Sequence, residues 1–103
     1  MNKLLNETFK LVKTEQALTI KVIEKLQEVE NQKAYLCLGY NSLFQYCVRE
    51  LNYSPAQATV RVNCVRLVKE NPQVKEKIKQ GSLSPSSASR IQSFIHYHEL
   101  KST

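Results

Sequence analysis

Apolar residues recur along the first third of the chain in steps of seven, four and three. Leu4, Leu11, Leu18, Val22, Leu26, Val29 and Leu36 make one stripe, and Leu5, Phe9, Val12 and Ile23 widen it. Such steps stack side chains on one face of an α-helix. Residues 3–38 are therefore predicted as one long amphipathic helix, with Lys21, Glu24, Lys25 and Glu28 marking its solvated side. At 1.5 Å per residue it would reach ~50 Å, longer than a domain of this size. Two arrangements resolve the excess. A break near Lys13–Thr14 folds the segment into a hairpin, or the N-terminal part pairs with a second chain. The heptad-like spacing allows a homodimer through this arm, although an ordinary core helix shows the same spacing.

The pattern changes after Leu38. Caps, prolines and glycines divide residues 39–100 into short helices. Gly39 is placed to end the arm, since glycine readily takes the left-handed conformation past a helix end. Ser42, with Gln45 three residues on, starts the next helix, whose inner face is Leu43, Phe44, Cys47, Val48 and Leu51. Tyr40 and Tyr46 are expected half-buried. Asn52, Tyr53 and Ser54 form a turn, and Tyr53 is positioned to staple onto Ala58.

The best-specified start in the chain follows. Ser54 caps, Pro55 occupies the first helical position where no N–H is needed, and Gln57 completes a capping box. This helix runs to about Glu70, with Ala58, Val62, Val65 and Val68 inward and Val60, Cys64 and Leu67 flanking them. Asn71-Pro72 opens a helix that ends at Gly81 and turns Val74 and Ile78 inward. Ser84-Pro85 opens the last, with Ala88, Ile91, Phe94 and Ile95 inward. The fold class is thus all-α: a long N-terminal helix, bent or straight, and four short helices. Residues 1–38 form an amphipathic arm and residues 39–103 a bundle. Helix, tight turn and basic helix over residues 42–70 outline a helix-turn-helix, and the small Ala58 suits the close crossing that such a motif needs.

Composition narrows the function. Apolar residues make up 42% and charged residues 23% of the 103-residue chain, ordinary values for one small globular domain. Net charge is +6, and it is unevenly spread: residues 1–48 hold six Lys against five Glu, residues 49–103 nine Lys or Arg against four Glu. A surplus of that sign favours phosphate or another polyanion as partner, with solubility as the plain alternative. The chain has no Asp, which argues against hard-metal sites and two-metal nuclease chemistry.

Cys37, Cys47 and Cys64 match no zinc spacing and read as buried thiols in a reducing cytoplasm. No apolar run is long enough to span a membrane, and MNKLLNETFK lacks the apolar core of a signal peptide. His96 and His98, two residues apart, do not share a helical face, and no base is placed beside Ser84, Ser86, Ser87 or Ser89. No catalytic residue, metal ligand or cofactor is therefore expected.

The stretch from about Leu18 to Phe94, containing GYNSLFQY, NYSPAQATVR and EKIKQGSLS, resembles the N-terminal helical module of bacterial HNH-endonuclease-type proteins. Ser54 to Ile91 is more loosely similar to the helix-turn-helix region of ParB-type partition proteins. It shares an Arg-Leu pair (Arg66, Leu67), a Gly-x-Leu-Ser turn (Gly81, Leu83, Ser84) and an Ala-x-Arg helix (Ala88, Arg90). These resemblances imply binding to double-stranded DNA and do not bring catalysis. The nuclease module of such proteins lies downstream, so the chain reads either as a free-standing domain or as the recognition part of a longer nuclease-like protein. A cytoplasmic, nucleoid-associated bacterial protein follows.

On this reading the Pro55–Glu70 helix enters the major groove. Gln57 is the candidate for adenine and Arg61 for guanine, with Thr59 and Asn63 reaching base edges or phosphates. Arg49, Arg66, Lys69 and Arg90 are the candidates for phosphate contacts, which position without specifying sequence. The competing reading is a helical protein-interaction or dimerisation module whose basic face is incidental.

Overall fold

The computed structural model describes residues 2–101, and every regular element among them is helical. Helix α1 spans Lys3–Gln32, α2 Leu43–Arg49, α3 Pro55–Glu70, α4 Gln73–Gln80 and α5 Pro85–Lys101, with a 3-10 segment over Ala34–Leu38 between α1 and α2. The all-α expectation, with a long N-terminal helix leading, holds.

Helix α1 is unbroken at Lys13–Thr14, and the hairpin arrangement does not occur. Asn2 starts it by accepting the Leu4 N–H at 2.9 Å. It stops six residues earlier than the apolar stripe suggests. Lys33 takes the left-handed conformation (φ 52°) and turns its N–H back to Glu30 and Val29. The chain then tightens into the 3-10 segment, which buries Tyr35, and Gly39 (φ 85°) terminates that segment rather than α1.

The stripe meets the core only in its second half, where Val22 and Val29 pack partly buried beside the core residues. Ile20, Ile23 and Leu26 are the buried residues of α1, whereas Leu4, Leu11 and Leu18 lie open to solvent. The second half of α1 belongs to the bundle core, and the first half projects past it. The long axis of the molecule, 54 Å against 36 and 21 Å, reflects this.

Helix α3 is the centre of the bundle. It packs most extensively on α5 and also against α1, α2 and α4. Its apolar positions occupy well over half its circumference: Ala58, Val62, Cys64, Val65, Leu67 and Val68 are all buried. With Ile23, Leu43, Cys47, Ile78 and Ala88 they form one continuous core. The start of α3 follows the expected capping box. Ser54 Oγ accepts the Gln57 N–H at 3.1 Å, Gln57 Oε1 accepts the Ser54 N–H at 3.4 Å, and Pro55 fills the first turn. Before it, α2 is capped by Ser42, which accepts the Gln45 N–H at 3.0 Å; the Gln45 side chain reaches back to the N–H of Asn41 instead of closing a box.

Two further starts differ in detail. Asn71 ends α3, donating its N–H to Leu67, and gives α4 no side-chain cap. Gly81 (φ 82°) closes α4, and a Cβ there would meet the Gln16 side-chain amide of α1 at 2.8 Å. That side-chain end can swing aside, so it is the left-handed backbone angle that calls for glycine here.

Helix α5 turns Ala88 inward and packs Ile95 partly buried against the core, as expected, but its other inward residues differ. Ala88, Ser89 and Gln92 are buried, while Ile91 and Phe94 remain 42% and 64% exposed. Small side chains let α5 approach α3 closely, and hydrogen bonds fix the joint. Asn63 Nδ2 of α3 donates to Ser89 Oγ at 3.0 Å and to Ser93 Oγ at 3.3 Å. The Cys64 thiol lies 3.3 Å from the Pro85 carbonyl, which accepts from it. A polar bond pattern thus selected the face that hydrophobicity alone would have placed outside.

Candidate nucleic-acid interface

The residues singled out on α3 divide among three surroundings. At 100° per residue, Thr59, Asn63, Arg66 and Glu70 fall on one side of the helix, away from the core. Thr59, Arg66 and Glu70 are exposed, and Asn63 is half-buried at the seam with α5. The Thr59 hydroxyl donates to the Pro55 carbonyl at 3.0 Å, which holds its side chain against the helix. Asn63 spends its amide N–H groups on Ser89 and Ser93, leaving its carbonyl oxygen for a partner.

Gln57 sits in the capping box, with Oε1 engaged by the Ser54 N–H. Arg61 points to another side of the helix, roughly 140–160° around from Arg66 and Thr59. Its guanidinium carbon is 5.8 Å from the Tyr53 ring centroid, within cation–π range. It also lines a cavity of about 380 Å³ whose walls include Gln16, Thr19, Ile78 and Leu83. Its positive charge opposes the effect of burial on two thiols. Burial pushes Cys64 up to about 11 and raises Cys47, and Arg61 pulls both slightly down. Cys37, by contrast, is exposed, against the expectation of three buried thiols.

Two of the candidate cations lie in the C-terminal half of α3. Arg66 and Lys69 line a cavity of about 420 Å³ between the end of α1, the start of α2 and α3. Glu30 and Glu70 share its wall, so its field is mixed. Arg49 is exposed at the end of α2. Arg90 is exposed on the side of α5 opposite the buried Ala88, Ser89 and Gln92. The ion pairs among the described residues are Lys3–Glu7, Lys25–Glu28 and Lys75–Glu24. None involves Arg49, Arg61, Arg66, Lys69 or Arg90.

The candidate surface is therefore Thr59, Asn63 and Arg66 along α3, extended by Ser93 of α5 and by Lys69. Ser89 and Ser93 were not singled out from sequence. Their spacing of four on a helix matches a single polar residue on a facing helix, a signal readable only once α3 and α5 are known to touch. No cluster of metal-ligating side chains occurs among the described residues, and no helix is long and apolar enough to cross a membrane. Comparison with protein-family models, with curated proteins and with solved structures returned no significant match.

Proposed function

We propose that this chain is a DNA-binding domain in which α2, the turn at Asn52–Ser54 and α3 act as a helix-turn-helix. Thr59, Asn63 and Arg66 present the reading side, and Lys69, Arg49 and Arg90 contact phosphates. The observation that carries the reading is the unpacked side of α3. It is a polar stripe on an otherwise core-bound helix, and it leads to Arg66 and Lys69, which have no carboxylate in an ion pair with them. The net charge of +6 and the resemblance to the N-terminal module of HNH-endonuclease-type proteins support it. The proposal includes a homodimer through α1 and a cytoplasmic location, and it assigns no chemical step to this chain. Gln57 and Arg61 take secondary parts, because one is engaged in the cap and the other stacks on Tyr53.

The test is fluorescence anisotropy with a random-sequence duplex across a salt series. Binding should weaken with a log–log slope of several phosphates' worth, at ~0.9 per neutralised phosphate. Arg66→Ala and Lys69→Ala should each reduce both affinity and slope. Absence of binding at low salt overturns the reading. The second reading, a protein-interaction module, draws on the exposed apolar residues of α1.

A further inference from the structure

We infer that the cavity between the end of α1, the start of α2 and α3 binds a small zwitterion, a free α-amino acid with an apolar side chain. The inference goes beyond DNA binding, and the binding step itself does not depend on it.

The cavity measures about 420 Å³, within the range of small-molecule sites. Its walls carry two cations, Arg66 and Lys69, and two carboxylates, Glu30 and Glu70. Arg66 and Glu70 stand one turn apart on α3, a spacing at which opposite charges readily pair. They form no ion pair, and neither do the other charges of this cavity; the pairs among the described residues are Lys3–Glu7, Lys25–Glu28 and Lys75–Glu24. Charges of both signs thus share one cavity without neutralising each other directly. Much of the remaining wall is apolar. Leu43, Val62 and Val65 are buried there, and Phe44 is half-buried.

Charge selects the class of ligand. A polyanion such as a nucleotide would bring its phosphates beside Glu30 and Glu70. A simple amine would face Arg66 and Lys69. An uncharged apolar molecule would cover all four charges and leave them without partners, which is costly. A zwitterion answers both signs at once. Its carboxylate accepts from Arg66 and Lys69, its ammonium donates to Glu30 and Glu70, and its side chain lies against Phe44 and Val65. The planar guanidinium of Arg66 suits the carboxylate end, because its forked donors match two oxygens. The ammonium end is helped by position. Glu70 is the last residue of α3, and Glu30 lies in the last turn of α1, where helix carbonyls add partial negative charge. An occupied cavity engages Arg66 and Lys69 and withholds them from phosphate. The amino acid is therefore an inhibitory effector, and this consequence alone rests on the DNA-binding reading.

The experiment is isothermal titration calorimetry of the full chain, without DNA, with L-phenylalanine and L-leucine. Saturable binding of at least one is expected. The N-acetyl derivative of the one that binds lacks the ammonium, and its amide lacks the carboxylate. Each should bind at least about tenfold more weakly. Glu70→Gln should weaken the free amino acid and leave the N-acetyl derivative unchanged, and Arg66→Gln should weaken the free amino acid and leave the amide unchanged. Circular dichroism should show the parent fold in both, because both side chains are exposed. Binding of neither amino acid overturns the inference. So does a blocked derivative that binds as tightly as the free form, or inorganic phosphate that competes as well as the amino acid. A chain that binds the amino acid and no duplex overturns only the DNA-binding reading; one that binds duplex and neither amino acid overturns only this inference.

Discussion

The two halves of α1 obey one hydrophobic pattern and meet opposite fates. Every residue from Lys3 to Glu15 is exposed, including Leu4, Leu5, Phe9, Leu11 and Val12. From Gln16 onward the same helix sends Ile20, Ile23 and Leu26 into the core. Periodicity reports only that a face exists; whether a neighbour covers it depends on where the other helices end. Here α4 stops at Gly81, beside Gln16, and the Lys13 ammonium reaches the Gln80 carbonyl at 3.5 Å. A helix of about a dozen residues is marginal by itself in water. The first half is helical because it propagates from an anchored second half.

Four measurements sharpen that contrast, beginning with the largest effect. Ile23→Ala removes a fully buried side chain from the anchored half. It should cost ~2–5 kcal/mol in urea-induced unfolding, the range for large-to-small changes in a close-packed core. Next, buried and exposed thiols should separate. Cys37 should react rapidly with a thiol reagent at neutral pH and Cys64 only on unfolding.

Because burial raises the Cys64 pKa from 9.0 to about 11, the folded state holds the proton more firmly. That contribution is complete below pH 9 and is lost as pH rises from 9 towards 11. The slope should be on the order of 1 kcal/mol per pH unit, and this part of the decline should vanish in Cys64→Ala. The smallest effect is expected at Leu11→Ala. In protein dilute enough to be monomeric, its stability should stay within ~0.5 kcal/mol of the parent. A larger loss would mean that the first half is anchored after all.

Local chemistry carried most of what the sequence revealed. The start of α3 was readable because Ser54, Pro55 and Gln57 each satisfy a backbone need within one turn. Its inner face was readable because Ala58, Val62, Val65 and Val68 keep a strict helical step. The errors lie where a tertiary contact chose between local options. Lys33 ended α1 in a conformation usually left to glycine, once the 3-10 segment had to bury Tyr35. Ile91 and Phe94 were passed over on α5 because Asn63 drew Ser89 and Ser93 to the interface. The candidate surface was legible in part for the same reason. Thr59, Asn63 and Arg66 do share a side. Gln57 was assigned both to the capping box and to adenine, and the structure engages it in the box, while the stacking of Arg61 on Tyr53 was not anticipated.

The central position of α3 also governs how the protein can diverge. A residue such as Val65 or Leu67 is enclosed on several sides, so a change there must be matched by changes in more than one neighbouring helix. Thr59, Arg66, Lys69 and Glu70 have no such obligations and can be replaced one at a time. Inheritance therefore acts on this helix at two speeds. The enclosed positions hold the architecture, while the narrow open strip has room for new surface chemistry at constant fold.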